Sequence, residues 1–401
     1  MIAKLILGML CAICASLGIA LFQVAGTTAG GGTESRLGDF ALSEPQTHDN
    51  LTIFLIRGED RIKSETLLPL EESLFAKKAV VHETGNVNLL EVENTSKDAE
   101  VFIQSGDIVK GGKQDRMIAF DLLLPPNSGR ISVVAFCVNE TRWQQRGIEA
   151  VTKFGSSSAQ IPSKSLKLIG GQYAQMGGQL GGQGFQFGGQ GLQRGDQGLQ
   201  FGGQGLQSGQ SGFQIGQFGG QGLQLGQVGA QLGGQGGVWT EVAAVQRKLR
   251  KNSGAKETGS SLQLTLEDKN VQEAVDKYMK KLAPALDGQK DVIGIAFAIN
   301  GKIDSADVYA SSTLFEKMWP KLLKASATEA LTEFQKDKKF PKVSAKDVEA
   351  CMVDAEKGKM TEKDVSKHIR ARMRETEKSI LLETLDRQRK GTWIHKTYLT
   401  K

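Results

Sequence analysis

Cysteine, histidine and aromatic residues are scarce in this chain of 401 residues. It contains four cysteines and four histidines, and 6% of its residues are aromatic. Cys11 and Cys14 lie in an apolar N-terminal segment, which leaves Cys137 and Cys351 for the rest of the chain. These two could form one disulfide bond or be two small buried side chains. A small secreted domain held together by several disulfides is therefore excluded.

Common catalytic and metal-binding signatures are also absent. None of the four histidines, His48, His82, His368 and His395, stands at a zinc-ligand spacing to another histidine or to a cysteine. The sequence has no G-x-S-x-G nucleophile elbow and no dinucleotide-binding glycine motif between a strand and a helix. We therefore expect no metal and no cofactor, and we interpret each histidine as a surface or structural residue. Catalytic groups that meet only in the folded chain would leave no such signature.

The N-terminus has the pattern of a signal peptide. Lys4 precedes an apolar run at residues 5–22, and Val24, Ala25 and Gly26 then offer a cleavage site. We expect a signal peptide at residues 1–26 and a linker at 27–50. The protein would then be periplasmic, secreted or on the cell surface, and would meet the membrane only during export. The alternative is an uncleaved anchor, because an apolar run of about 18 residues can just span a bilayer.

The spacing of apolar residues predicts an α+β fold. Closely spaced strand patterns in the first half indicate a largely antiparallel β-sheet or sandwich. These strands are predicted at residues 51–56, 79–82, 87–93, 100–104, 116–124 and 131–138.

The second half has helical patterns and a β-hairpin. Pro320 is expected to kink or restart one of the helices, and capping boxes at Ser344 and Thr361 predict the starts of two more. The Asn300-Gly301 pair is a strong hairpin signal. The other predicted elements are helices at residues 271–282 and 315–331, hairpin strands at 292–299 and 302–309, and closing strands at 380–385 and 393–399.

Residues 170–237 form a low-complexity stretch of glycine and glutamine that repeats variants of GGQGLQ. We predict that this stretch is a disordered insert within a single α+β domain that spans residues 51–401. It could be a repeat expansion in a tolerant surface loop. Alternatively, it could be a glutamine-rich tether for a protein or surface partner.

Residues 101–126 contain the densest group of polar side chains between apolar segments. The turn resembles a P-loop but lacks the Ser or Thr after its lysine, and an apolar strand rather than a helix follows. Successive glycine N–H groups flanked by lysines could instead form an anion-binding nest, although a solvated hairpin turn has the same composition. The candidate ligand-binding residues are Lys110, Gly111, Gly112, Lys113, Asp115 and Arg116.

Position along this segment suggests different roles for its charged residues. Lys113 is at the turn, where its side chain can reach water, and Arg116 is only just inside the following strand. We therefore predict that both serve function more than folding, so that Lys113→Ala is nearly neutral to stability and Arg116→Ala is mild. Asp121 lies deep in an apolar run, where an unpaired carboxylate would be costly. We therefore predict that Asp121 has a buried partner and serves folding.

Two segments carry a resemblance to a known family. GDIVKGGKQDRMIAFDLLLPP, followed by FCVNETRW, and IGIAFAINGKIDSADVYASSTLFEKMWPKLLKASATEAL at residues 293–331 resemble the ARG and rhodanese-phosphatase-superfamily-associated protein domain family. The resemblance spans most of the chain outside the insert. It implies no particular reaction, since the family has none established. Its name implies an association with ADP-ribosyl and phosphatase-type enzymes, which points to nucleotide or phosphoester chemistry by association alone.

Two functions are consistent with these observations. The first is an exported, noncatalytic binding or structural module. The second is a nucleotide- or phosphoester-handling protein, which could be hydrolytic, that uses the turn at residues 110–116 together with Glu140 or Arg142. The ligand would be an anionic small molecule such as a nucleotide or phosphosugar. Nucleic acid is not expected, because a net charge of +6 is modest for this length.

Overall fold

In the part of the chain that the structure describes, three β-sheets of ten, six and three strands form the framework of the fold. The computed structural model describes residues 35–37, 39–86, 88–140, 154–160, 164–177 and 235–401. The strands before the insert are β1 (Ser35–Leu37), β2 (Phe40–Leu42), β3 (Gln46–His48), β4 (Leu51–Arg57), β5 (Leu67–Pro69), β6 (Ala79–Glu83), β7 (Leu89–Asn94), β8 (Glu100–Ile103), β9 (Asp107–Gly111), β10 (Arg116–Ile118), β11 (Leu122–Leu124), β12 (Gly129–Cys137) and β13 (Phe154–Gln160). Those after it are β14 (Val292–Ile299), β15 (Lys302–Tyr309), β16 (Lys359–Asp364), β17 (Ile369–Glu375), β18 (Ser379–Asp386) and β19 (Thr392–Thr400).

The sheets are built mainly from antiparallel neighbours. The largest has the order β1-β2-β4-β14-β15-β19-β18-β17-β16, with β3 also paired to β4. The second has the order β13-β9-β10-β12-β7-β6 and the third β11-β8-β5. Among the described strands, only β5 and β8 pair in parallel. The predicted α+β class with largely antiparallel sheet in the first half is confirmed.

Seven helices complete the described part of the fold. They are α1 (Leu70–Phe75), α2 (Lys164–Gly177), α3 (Gln235–Ser253), α4 (Leu262–Glu267), α5 (Lys269–Leu282), α6 (Ser312–Thr332) and α7 (Ala345–Glu356), with a 3-10 turn at Ala283–Leu286. Most of α6 is buried, and it packs against β5, β13, β14, α3 and α5. Within the described ranges, no helix is long and apolar enough to cross a membrane.

Several local predictions in the second half are confirmed. Asn300 and Gly301 join β14 to β15, and a bulge lies between Phe297 and Ala298. Ser344 and the third helical residue form the capping box that begins α7. Helix α6 continues without a break through its proline, so the alternative of a restart there is wrong.

The single strand predicted at residues 116–124 is wrong. The segment divides into β10, in the six-stranded sheet, and β11, in the three-stranded sheet. Residues 119–121 cross between the two sheets, and Gly106 N–H bonds back to Ile118 O at 2.9 Å. Both strands are fully buried, so the apolar residues on either side of Asp121 gave no sign that they belong to different sheets.

The helix predicted from Thr361 is also wrong, because this segment is the edge strand β16. Every second side chain in this part of β16 pairs with an arginine of β17. Glu362 accepts a hydrogen bond from Arg372 Nε at 2.6 Å, and Asp364 accepts one from Arg370 Nε at 2.6 Å. These cross-strand pairs stabilise an extended conformation. A capping-box pattern without an apolar helical stripe behind it was insufficient to define a helix.

The ends of the glycine-rich stretch belong to helices. Helix α2 extends to Gly177 and α3 begins at Gln235, while residues 178–234 lie outside the described residues. A Cβ atom on Gly170 would lie 2.2 Å from Ala119 O, and one on Gly171 would lie 2.6 Å from a Leu382 methyl group. These two glycines therefore allow α2 to pack closely against the sheets. The predicted disorder of the central repeats falls on residues that are not described.

Candidate functional site

Several polar groups of the turn predicted as a ligand site are bonded to other groups of the protein. Lys110 Nζ lies 3.1 Å from Glu267 Oε1 of α4. Gly111 N–H donates to Asp115 Oδ1 at 3.1 Å. Gly112 has a φ of +57°, and a Cβ there would lie 2.2 Å from the Phe154 ring. The glycines are therefore required by the hairpin itself, and their role in an anion-binding nest stays a prediction.

Arg116, whose sequence position is only just inside the strand, is completely buried. Its side chain is fully buried, with Nη1 donating to Gln114 Oε1 at 3.0 Å and Nη2 3.9 Å from Glu83 Oε1. This burial argues against the prediction that Arg116→Ala is mild, which stays untested. A buried guanidinium that bridges neighbouring polar groups is a structural element, and its loss leaves those groups without their partner.

The candidate turn residues do not line any of three prominent cavities. Glu140 lines a small cavity of ≈ 260 Å³ beside α3, and Arg142 lies outside the described residues. A second cavity of ≈ 590 Å³ lies between α1, α5 and α6. The third, of ≈ 550 Å³, is the one that receives the most charged side chains and leads toward a buried polar network.

Asp121 is the inner anchor of this network. Its Oδ1 accepts from Ser105 N–H at 2.7 Å, and its Oδ2 accepts from Thr384 Oγ1 at 2.7 Å. His395 Nδ1 lies 2.7 Å from the same Oδ2. The prediction that Asp121 has a buried partner is confirmed. These contacts join the crossing between β10 and β11 to β18 and β19 of the largest sheet.

His395 lies between two carboxylates. Its Nε2 is 3.3 Å from Asp307 Oδ1, and the Tyr309 ring stacks on the imidazole with centroids 4.4 Å apart. Burial opposes the imidazolium, but the charges of Asp121 and Asp307 outweigh it and raise the pKa of His395 to about 9. The imidazole is therefore charged at neutral pH, in a position that is 2% exposed.

Lys167 continues the network from Asp307 toward the cavity. Its Nζ lies 3.7 Å from Asp307 Oδ2, and Asp307 also accepts from Thr397 Oγ1 at 2.8 Å. Burial opposes charge on both groups. The Lys167 ammonium and the nearby imidazolium nevertheless lower the pKa of Asp307, and the surrounding carboxylates raise the pKa of Lys167.

The cavity of ≈ 550 Å³ is hereafter called the cleft. Its inner wall brings together Asp304 of β15, Glu329 of α6 and Lys164 of α2. Glu329 Oε1 accepts from Lys164 N–H at 2.7 Å. Lys164 Nζ lies 3.7 Å from Asp304 Oδ1 and donates to Thr400 Oγ1 at 3.0 Å. Three elements far apart in sequence thus meet at one wall.

The surroundings of the two inner carboxyl groups disfavour their charged forms. Burial, followed by the charge of Asp304, raises the pKa of Glu329 to about 8. Burial also raises the pKa of Asp304, against the opposing effect of Lys164 and Lys167. A carboxyl that stays protonated at neutral pH in a cleft is characteristic of functional sites, although structural networks also produce it.

The rim of the cleft is rich in lysine. Lys248 pairs with Glu333 at 2.6 Å, and Lys401 pairs with Glu375 at 2.6 Å. Lys302 and Lys339 are exposed and have no ion pair or side-chain hydrogen bond with another residue in the described part of the chain. These two ammonium groups are available to an anionic ligand.

The cleft escaped prediction because its residues share no local motif. Asp304, Glu329 and Lys164 come from different elements, and their proximity depends on the whole fold. One signal was present: Glu329 is a charged residue in a stretch of α6, residues 325–332, in which every residue is buried. Such a residue needs a partner or a function. Among the described residues, no group of three or more His, Cys, Asp or Glu side chains is arranged so that it could hold a metal ion.

Comparison with known proteins gives one match. A family model for the ARG and Rhodanese-Phosphatase-superfamily-associated Protein domain matches residues 39–173 and 224–399. The unmatched interval between the two parts falls within the predicted glycine-rich insert. No curated protein and no solved structure matches the chain.

Proposed function

We propose that this chain, which belongs to the ARG and Rhodanese-Phosphatase-superfamily-associated Protein domain family, is an exported module that binds an anionic small molecule in the cleft. The observation that carries the proposal is the placement of Lys302 and Lys339, without competing partners among the described residues, at the rim of a cavity of ≈ 550 Å³. Small-molecule sites usually have volumes of about 300–1,000 Å³. A nucleotide or phosphosugar has the charge and the size for this space.

The charge distribution supports an anion near the rim. A lysine ammonium group is a compact charge on a flexible four-carbon stem, so the exposed rim lysines can approach a phosphate from several directions. The carboxylates of Glu333 and Glu375 are already paired with lysines, which reduces their repulsion of an incoming anion. Such an interaction is exposed enough to be screened by salt.

Replacing both rim lysines should weaken ligand binding without affecting folding. We expect the Lys302→Ala/Lys339→Ala variant to bind a responsive nucleotide or phosphosugar about tenfold more weakly, because each exposed ion pair contributes up to about 1 kcal/mol. Isothermal titration calorimetry at low and high salt measures the effect. The matched control is Lys280→Ala/Lys290→Ala, two exposed lysines outside the cleft. Equal affinity of both variants and the parent protein would refute the proposed site.

The alternative site is the turn at residues 110–116, with nucleotide- or phosphoester-handling chemistry. The pairing of Lys110 with Glu267 and the burial of Asp115 and Arg116 support it less well. Lys110→Ala/Lys113→Ala distinguishes the two sites in the same titration. A loss of affinity in this variant, with the rim variant unaffected, would favour the turn. The insert as a tether for a protein or surface partner stays a separate prediction.

Export predicts a processed N-terminus. The charged start, the apolar run and the small residues at positions 24–26 lead us to expect a mature chain that begins near Thr27. N-terminal sequencing of the protein purified from its native host checks this. A chain that still begins at Met1 and fractionates with membranes would instead indicate an uncleaved anchor.

A further inference from the structure

We propose that the inner end of the cleft binds a protonated amino group, so that the ligand is a zwitterion: a phosphate ester that also carries a primary amine. The inference rests on the proposed function, since the rim lysines would hold the phosphate. The amino group, at the opposite end of the same ligand, would be bound by Asp304 and Glu329.

The first observation is an unused acceptor. Asp304 Oδ2 is buried and has no hydrogen-bond partner of normal geometry in the described part of the chain. The adjacent Ser305 hydroxyl interacts with this carboxyl group and opposes the rise in its pKa, but it also makes no hydrogen bond of normal geometry in that part of the chain. Lys164 Nζ is 3.7 Å from the other oxygen of this carboxyl group, beyond hydrogen-bond distance, and donates to Thr400 instead. A buried carboxylate oxygen without a donor is costly. An ammonium group has three N–H donors and would satisfy it.

The second observation is the balance of charge in the network that ends at this wall. It contains four carboxyl groups, those of Asp121, Asp307, Asp304 and Glu329, and three cationic groups, those of His395, Lys167 and Lys164. The carboxyl groups exceed the cations by one. A further cation at the inner wall would balance the set and allow every carboxyl group to ionise.

The raised pKa of the Glu329 carboxyl group is consistent with this excess of carboxyl groups. Glu329 faces Asp304, Lys164 and Lys167, while Glu333 near the rim is paired with Lys248. Burial and the Asp304 charge raise the pKa of Glu329, so that its carboxyl group holds a proton at neutral pH. An ammonium group next to it would lower that pKa and release the proton. Binding of the amine would therefore exchange one positive charge for another.

A matched pair of ligands separates the amine from the phosphate. Glucosamine 6-phosphate and glucose 6-phosphate differ only in an amino group that replaces a hydroxyl group, and phosphoethanolamine and ethyl phosphate provide a shorter pair. We expect the amine of at least one pair to bind about tenfold more tightly or better, as a charge-assisted hydrogen bond in a buried site would give. Calorimetry at pH 7 in buffers of different ionisation enthalpy should show release of about one proton per amine bound.

Two variants test the inner wall directly. Glu329→Gln resembles the protonated side chain in shape and charge, and it should abolish proton release and reduce the preference for the amine. Asp304→Asn should remove the preference while phosphate binding persists. The control is Glu273→Gln, an exposed glutamate of α5 outside the cleft. Circular dichroism shows whether each variant is folded.

The outcomes distinguish this inference from the proposed function. Equal affinity for the ligands with and without the amino group in both pairs, with no proton release, would overturn the zwitterion assignment and leave anion binding intact. An amine preference that persists in both inner-wall variants would overturn it as well. If neither pair binds and no other phosphate ester does, the cleft is not an anion site and both proposals fail.

Discussion

Replacing Asp121 by alanine is expected to lower the free energy of unfolding by about 3–5 kcal/mol, because it leaves a buried charged partner uncompensated. The carboxylate accepts hydrogen bonds from Ser105 N–H and Thr384 Oγ1 and pairs with the His395 ring. Its loss would leave the imidazolium close to Asp307 alone and would remove a link between the sheets. Denaturant unfolding near pH 7, followed by circular dichroism, measures the change.

Two further variants show whether the loss comes from the buried pair. Asp276→Ala removes an exposed aspartate of α5 and should change stability by less than about 0.5 kcal/mol. In the double variant Asp121→Ala/His395→Gln, the unpaired charge is also removed, so the combined loss should be smaller than the sum of the single losses. Additive losses, or a harmless Asp121→Ala change, would show that the pair does not stabilise the fold.

The sequence supports prediction of elements whose signals are local. The Asn300-Gly301 hairpin depends on two adjacent residues with positive φ angles, and the Ser344 capping box depends on atoms three residues apart. Asp121 was also interpreted correctly as a carboxylate with a buried partner, because burial of a charge is costly wherever it occurs. Its partner could not be identified, since His395 is 274 residues away.

The failures have a common physical cause, which is that the deciding contacts are nonlocal. The apolar run at residues 116–124 gives no indication that β10 and β11 belong to different sheets, because both strands are buried on both faces. Gly170 and Gly171 have the composition of the repeats, but their contacts with Ala119 and Leu382 require the folded sheets. Likewise, the inner wall of the cleft exists only where α2, α6 and β15 meet.

A large expected effect of pH on stability also comes from the buried pair. The pKa of His395 is raised in the folded protein to about 9, from an ordinary value of 6.5. The native state therefore binds a proton that the unfolded chain releases between these two values. Stabilisation from the imidazolium is fully present below about pH 6.5 and is lost as pH rises through about 9. With about 1.36 kcal/mol for each pKa unit, the loss is about 3 kcal/mol.

The side chain responsible can be identified from the slope of stability against pH, independently of absolute stability. Denaturant unfolding between pH 6 and 9.5 should show a decline in the parent protein that His395→Gln largely removes. Glu329 contributes in the same direction, because its raised pKa also gives the folded state an extra proton, but over the lower interval from about pH 4.5 to 8. Glu329→Gln should therefore flatten the curve mainly below pH 8, and His395→Gln mainly above pH 6.5.

If the parent protein is equally stable at pH 6.5 and 9, or His395→Gln keeps the full decline, then His395 is not held as an imidazolium between the two aspartates. The charge count that leaves one carboxyl group in excess at the inner wall of the cleft would then also be wrong, because His395 supplies one of its three cations.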